Sequence, residues 1–469
     1  MVRNFVGRKR ELKALQDKYD QEGFHLAIIY GRRRIGKTRL INEFIKKNSD
    51  VRSIEFVAME RNEKDLLKMM TNAVLAAISP SLVGNFSFEN FDKLFDFVGQ
   101  AAKDQKIIFF IDEYPYLANE CKYMNSLMQK YVDRDWKDSN LFVILCGSMV
   151  SFMRDDVLSE NAPLHGRSDL EFKLGPFDYY ETGLFLPEFS NEDKAIAYGI
   201  TGGVAKYIEQ INPEKSIDEN IMEQFYSNTG YFTEEQVQTV MTADKKNPTA
   251  YNSIIAAIAN GHTKYGEIAS ASGISDITFY IKNLMSAELI EKRKSGKSTY
   301  YRIMDGMLNF WFRLVSDAAS LINAGKGELY YHKIVKEKMH DYMGLVFEDM
   351  ARQYIFRNSG SENLPMMITS LEEYQQSIKE GKEIHQIEID LVGREGKNIA
   401  LAGECKFRRQ TFSKKDMQHF LDKVRYLPAT NPLLILFSLS GYEQGVKDMT
   451  QSAILIDIDM MYQSPEMYK

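Results

Sequence analysis

The stretch Gly31-Arg32-Arg33-Arg34-Ile35-Gly36-Lys37-Thr38 constrains the chain more than any other, because it satisfies G-x-x-x-x-G-K-[ST] in the right surroundings. Ahead of it, His25-Leu26-Ala27-Ile28-Ile29-Tyr30 reads as a buried strand. Behind it, Leu40, Ile41, Phe44 and Ile45 recur at helical spacing. Strand, glycine loop and helix in that order predict a phosphate-binding loop. The glycines let successive N–H groups face one anion, and the helix N-terminus adds partial positive charge. Lys37 is placed to reach the β- and γ-phosphates of a nucleoside triphosphate, and the Thr38 hydroxyl to ligate Mg²⁺. Arg32, Arg33, Arg34, Ile35 and Arg39 complete the set expected around the nucleotide.

A second apolar run, Ile107-Ile108-Phe109-Phe110-Ile111, ends in Asp112-Glu113. At the C-terminal tip of a parallel strand, Asp112 would hold Mg²⁺ through water and Glu113 would accept a proton from the attacking water. A third, Leu141-Phe142-Val143-Ile144-Leu145-Cys146, ends in Gly147-Ser148. Ser148 is the candidate sensor of the γ-phosphate, with a hydrogen-bonded turn serine as the alternative. Arg167, in Pro163-Leu164-His165-Gly166-Arg167, is either an arginine finger or a partner in a surface ion pair. Four strands alternating with helices, the remaining one at residues 53–58, predict a doubly wound parallel sheet with nucleotide at its C-terminal edge.

A chain of 469 residues exceeds one ordinary core, and its 44% hydrophobic and 26% charged composition is that of a soluble globular protein. The net charge of −6 gives no global electrostatic case for nucleic acid, so any such case must be local. Cys121, Cys146 and Cys405 are dispersed and odd in number, and the seven histidines form no metal-like cluster. The segment MVRNFVGRKREL lacks a signal peptide's apolar core, and the longest apolar runs are too short to cross a bilayer. A cytoplasmic protein with no membrane partner is expected.

Beyond a core domain over residues 1–190, the pattern turns helical over 191–247, with Thr201-Gly202-Gly203-Val204-Ala205-Lys206-Tyr207 in its midst, and a helical lid is expected there. Residues 248–305 read helix, helix, helix, then two runs pairing as a β-hairpin around Ser295-Gly296-Lys297, the order of a winged helix-turn-helix. Lys282, Lys292, Arg293, Lys294 and Lys297 make this region locally basic. DNA contact through phosphates and a packing role are both open. After an aromatic-rich linker over 306–335, residues 336–469 form a further α/β unit. There Asp390, then Glu404-Cys405-Lys406, make a D…E-x-K pattern, and strand alternation puts Glu404 and Lys406 on one face. Two carboxylates can hold a divalent metal while the lysine orients water, and Glu348 on the preceding helix could complete the shell. A hairpin with surface charges is the plain alternative.

With FVGRKREL, GRRRIGKT, FFIDEYPYL, PLHGR, TGGVAKYI, YRIMDGMLNFWFR and IEIDLVG…GECKF in place, the whole chain resembles the archaeal-type ATPases, related to the AAA and STAND branches, that carry an uncharacterised C-terminal domain. Its last domain resembles the PD-(D/E)XK, restriction-endonuclease-like nucleases. The resemblance implies ATP and Mg²⁺ at the P-loop with Asp112 and Glu113, an adenine pocket lined by the backbone of Gly7 and Arg8, and a nuclease-like centre at Asp390, Glu404 and Lys406. It departs from the family at Ala205, where a proline commonly follows G-G-x, and at Ile389, which stands where Pro precedes Asp. The expected activity is ATP hydrolysis coupled to DNA binding or cleavage, in a chain that could act as a homo-oligomer. The alternatives are a nucleotide-controlled DNA-binding switch with an inert last domain, or an ATP-fuelled interaction protein.

Overall fold

The computed structural model describes residues 5–243, 246–295, 298–380, 383–429, 431–449 and 453–463. Two compact units emerge: one from residues 1–176 with Val204–Lys206, the other from Phe177–Gly203 and the chain from Tyr207 onward. Apart from Val204–Lys206, the first unit ends at Pro176, and the remainder of the stretch from Phe177 groups with the second unit.

In the first unit the elements run α1 (Lys9–Tyr19), β1 (His25–Tyr30), α2 (Lys37–Lys47), β2 (Arg52–Val57), α3 (Glu63–Ile78), α4 (Phe91–Asp104) and β3 (Ile107–Asp112). Then come α5 (Tyr114–Glu120), α6 (Met124–Lys130), β4 (Leu141–Gly147), the single turn α7 (Val150–Phe152) and β5 (Leu170–Lys173). The strands form one parallel sheet in the order β2-β3-β4-β1-β5. β5 is a strand beyond the four expected, half-exposed at the sheet's edge. Arg8 adopts a left-handed backbone, φ 56°, at the start of α1.

Alternation along the buried strands sorts the core into two layers. Ala27, Ile29, Ile108, Phe110, Phe142 and Ile144 pack with Leu15 of α1 and Leu40, Ile41 and Phe44 of α2. Leu26, Ile28, Phe109, Ile111, Val143 and Leu145 face the other way, against α3 to α6. The sheet is thus doubly wound, and its order inserts β4 between the P-loop strand β1 and the acid-bearing β3. That order brings the tip of β4 against the P-loop, where the Gly31 N–H donates to the Gly147 carbonyl at 3.3 Å.

The second unit begins with α8 (Tyr179–Leu184) and α9 (Asn191–Thr201), takes the second half of α10 (Ala205–Ile208), and continues with α11 (Ile217–Phe225) and α12 (Tyr231–Val240). α13 (Pro248–Ala259), α14 (Tyr265–Ser272) and α15 (Thr278–Ser286) precede an antiparallel hairpin of β6 (Ile290–Ser295) and β7 (Ser298–Ile303). Gly296 and Lys297, expected at its turn, lie outside the described residues. Short helices α16 (Gly306–Phe310), α17 (Ala319–Asn323) and α18 (Gly327–Tyr330) lead to α19 (Lys336–Asn358).

Last come β8 (Ser370–Glu380), β9 (Glu383–Glu395), β10 (Asn398–Lys406), α20 (Lys414–Val424), β11 (Leu433–Ser438), α21 (Gln444–Met449), β12 (Ile454–Asp457) and α22 (Ile458–Met461). They build a mixed sheet in the order β12-β11-β10-β9-β8, antiparallel from β8 to β10 and parallel from β10 to β12. The edge strand β8 was not expected from the sequence. Its glutamates and glutamines give no clean hydrophobic alternation, and charge on an edge strand disfavours pairing with another chain. Among the described residues no helix is long and apolar enough to cross a membrane.

Candidate functional site

The first site lies in the turn between β1 and α2. Gly31 is required by close approach, since a Cβ there would lie 2.2 Å from the Leu174 carbonyl oxygen. Arg34 (φ 71°) and Gly36 (φ 94°) take left-handed backbone conformations, which curl the loop so that its N–H groups can converge on an anion. Lys37 is buried, and its ammonium donates to the carbonyls of Gly31 (2.8 Å) and Arg32 (2.9 Å). Burial lowers its pKa, with Cys146, Glu113 and Asp112 opposing.

The Thr38 hydroxyl donates to Oδ2 of Asp112 at 2.6 Å, and Asp112 Oδ1 accepts the Glu113 N–H at 2.9 Å. A helix-start hydroxyl and a buried strand-tip carboxylate side by side are hard oxygen donors suited to Mg²⁺ beside phosphate oxygens. Glu113 opens α5 at φ 51°. Its Oε2 accepts both the Ser148 hydroxyl (2.7 Å) and the Ser148 N–H (3.2 Å). Ser148 is therefore a partner of Glu113 in this structure, a contact its position at a strand tip did not announce.

Arg8 is buried. Its guanidinium donates to the carbonyls of Gly175 (2.5 Å) and Ile35 (3.4 Å), tying the segment at Gly7-Arg8 to the P-loop. Lys206 N–H donates to the Arg34 carbonyl (3.1 Å), and Ala205 would lie 3.5 Å from a Cβ on Gly36. Arg33 donates to the Tyr116 hydroxyl at 2.5 Å, while Arg32 and Arg39 are half-buried beside the loop. Of the two readings of Arg167, the geometry displays the ion pair: Nε and Nη2 hold Asp133 at 2.7 and 3.0 Å. A finger role requires Arg167 to leave that carboxylate.

The second cluster sits on the C-terminal sheet. Gly403 pairs with Leu391 across β9 and β10, which makes Asp390 and Glu404 cross-strand neighbours. Asp390 Oδ2 accepts the Cys405 N–H at 2.8 Å. Glu404 is buried, and Oε1 accepts from Lys406 at 2.7 Å. Lys423 of α20, absent from the sequence reading, reaches Oε1 and Oε2 of Glu404 at 3.1 Å each. It lies three residues from the buried Phe420, so helical spacing was the available signal. Arg352 donates to the Asp390 carbonyl at 3.0 Å and lies 3.9 Å from Glu348.

Burial first, and then the Glu404 charge, push the Asp390 carboxyl up to about 6. Burial first, and then Asp390, push Glu348 up to about 8. Hard carboxylates crowded together are donors of the type that takes a divalent cation. Yet Glu404 is turned to two lysines, and among the described residues no three His, Cys, Asp or Glu side chains are gathered to enclose a metal ion. The expected trio Glu348, Asp390 and Glu404 is thus near in charge but does not form a closed ligand set.

The Glu348 shift has a sign that can be tested. The folded state keeps a proton that the unfolded chain releases above about 4.5, so stability falls as pH rises from there to about 8 and is flat beyond. Glu348→Gln is expected to stabilise the protein by roughly 2–4 kcal/mol at pH 8.5 and hardly at all at pH 4.5. Urea midpoints at the two pH values decide it; an equal gain at both contradicts a buried carboxyl.

On the hairpin, Arg302 pairs with Asp349 of α19 at 2.6 Å, and Arg293 is held by Glu291 at 2.5 Å and lies 3.8 Å from Asp349. Arg293 is therefore turned towards carboxylates. Lys282 and Lys292 remain exposed, Lys297 is outside the described residues, and the Lys294 side chain is not described.

A parallel sheet, a phosphate-binding loop and an Asp-Glu strand tip define a P-loop ATPase domain of the ATP-binding class. Residues 5–211 match the model of an ATPase domain predominantly from Archaea, and residues 311–420 that of archaeal and bacterial proteins of unknown function. The uncharacterized protein MJECL04 of Methanocaldococcus jannaschii is 32% identical over 370 residues, 77% of this chain and 79% of its own length. The chain belongs to this family of P-loop ATPases. A shorter relative, the uncharacterized ATP-binding protein MJ0423 of the same organism, is 44% identical over 52 residues, 11% of this chain and 88% of its own. The Walker-type ATPase PABY2304 of Pyrococcus abyssi aligns over 66% of this chain and 96% of its own, at 18% identity and TM-score 0.49. The Aeropyrum pernix ORC2 protein aligns over 69% and 96%, at 15% and 0.43.

Proposed function

We propose that the protein hydrolyses ATP with Mg²⁺ and couples the nucleotide state to the binding or cleavage of DNA in the cytoplasm. The observation that carries the ATPase reading is the continuous chain of contacts from Thr38 through Asp112 to Glu113 and Ser148. In this reading the Thr38 and Asp112 oxygens would hold Mg²⁺ and Glu113 beside them would take the proton of the attacking water. Lys37 neutralises the phosphates. Arg167 serves as a finger once released from Asp133, in its own chain or in a homo-oligomer.

The nuclease-like reading of residues 336–469 rests on Asp390, Glu404 and Lys406 sharing one end of a mixed sheet preceded by α19. If a divalent cation binds there, Asp390 and Glu404 would hold it, with Glu348 behind them, and it would supply Lewis-acid stabilisation of a phosphodiester's developing charge. Lys406 would position water. Residues 248–305 serve as a winged helix that grips DNA through Lys282 and Lys292. Residues 191–247 serve as a lid.

The second reading, a nucleotide-controlled DNA-binding switch with an inert last domain, is favoured by the two lysines already seated on Glu404. Cleavage of plasmid and linear DNA with Mg²⁺ or Mn²⁺, with and without ATP, separates them. An ATP-controlled nuclease loses cutting in Asp390→Ala and changes its rate in Lys37→Ala. Equal behaviour of wild type and Asp390→Ala leaves the switch.

A further inference from the structure

Lys423 has no part in the D…E-x-K pattern, yet its ammonium is 3.1 Å from both carboxylate oxygens of Glu404. Equal distances place it near the bisector of the carboxylate, the direction from which a chelated cation approaches. The oxygen Oε1 is taken a second time by Lys406. The Glu404 side chain is 5% exposed, whereas those of Lys423 and Lys406 are 30% and 29% exposed. The two ammonium groups therefore lie on the solvent side of the acid.

The placement is built into α20. A capping box of Ser413 and Asp416 starts the helix, and Met417 and Phe420 anchor its inner face in the core. Lys423, three residues beyond Phe420, falls on that same face. Its stem follows the core while its head reaches Glu404, as long cationic side chains do. Two ammonium groups thus sit on the one Glu404 carboxylate, which is partnered without any metal ion.

We infer that Lys423 is a resident counter-ion occupying the cation position on Glu404, so that a divalent cation enters only when Lys423 withdraws. The inference rests on reading Asp390 and Glu404 as an acidic centre, and it assigns that centre a gate. Withdrawal of one side chain near the end of a helix is a small motion. Contact of nucleic acid phosphates with Lys423 would favour it, since the ammonium then exchanges one anion for another.

The test uses the full-length protein without nucleotide, with bound Mn²⁺ read from the loss of the free-ion electron paramagnetic resonance signal. Lys423→Gln keeps Glu404 partnered by Lys406 and should bind one Mn²⁺ at least about tenfold tighter than wild type, the order expected when a cation in contact with a carboxylate is removed. Lys423→Arg keeps the charge and should remain near wild type. Adding Glu404→Gln to Lys423→Gln should erase the gain.

Mn²⁺ affinity unchanged by Lys423→Gln, or a gain that survives Glu404→Gln, overturns the inference. Cleavage is a separate readout. Tighter Mn²⁺ with no cutting of DNA by any variant upholds the counter-ion and sinks the nuclease reading. Cutting that depends on Asp390, with Mn²⁺ affinity indifferent to Lys423, does the reverse.

Discussion

Glu113→Gln is expected to lower ATP turnover by about two to three orders of magnitude while leaving ATP affinity near that of the wild type. The carboxylate sits at the tip of β3 next to Asp112, and it is held there by the hydroxyl and the N–H of Ser148. A glutamine can still accept those two hydrogen bonds through its amide oxygen, so the geometry survives. What it cannot do is take the proton of an attacking water, and that step carries the loss. Single-turnover hydrolysis and equilibrium nucleotide binding, measured on one preparation, separate chemistry from affinity. Turnover within about threefold of wild type would show that another group is the base.

Ser148→Ala is the companion experiment. It removes the 2.7 Å hydroxyl contact and keeps the backbone one. If Ser148 acts by holding Glu113, the loss should fall on the rate. It should also vanish when the substitution is made in the Glu113→Gln background, because residues acting as a unit are not additive. A sensor acting on the γ-phosphate by itself would retain its own effect there.

Gly203→Ala should damage the fold rather than the chemistry. Gly203 has φ 71°, and a Cβ there would lie 1.8 Å from the Phe177 carbonyl oxygen. The two strands of chain cannot part freely, since the Phe177 N–H donates to the Gly203 carbonyl at 2.8 Å. The neighbouring Gly202, at φ 58°, would bring a Cβ within 2.6 Å of the Gly306 nitrogen, so backbone crowds the turn from two directions. Left-handed strain for alanine adds to this overlap, and together they should cost about 3 kcal/mol or more. The denaturation midpoint of the second unit is the measurement. A shift worth less than about 0.5 kcal/mol would mean that the turn can open without loss.

Short-range patterns announced much of this. A glycine loop between strand and helix, apolar runs ending in acids, and a hairpin flanked by basic residues are each written within a dozen consecutive positions. The sequence also placed Glu404 and Lys406 together, because alternation along one strand fixes which side chains share a face. It was silent on β8, whose charges suit an edge and mimic a loop. It missed β5 as well, four half-exposed residues held only by pairing with β1.

The amino-acid sequence by itself determined that this protein has a P-loop, which apolar strand ends in the Asp112-Glu113 pair, and that a second set of acids lies far along the chain. Only the tertiary structure decided what those residues touch. Ser148 meets Glu113 because the sheet places β4 between β1 and β3, Arg167 meets Asp133, and Lys423 meets Glu404. Local patterns encode the backbone's shape and the sorting of faces. Pairings between side chains far apart in the chain exist only once strand order and helix docking bring them together.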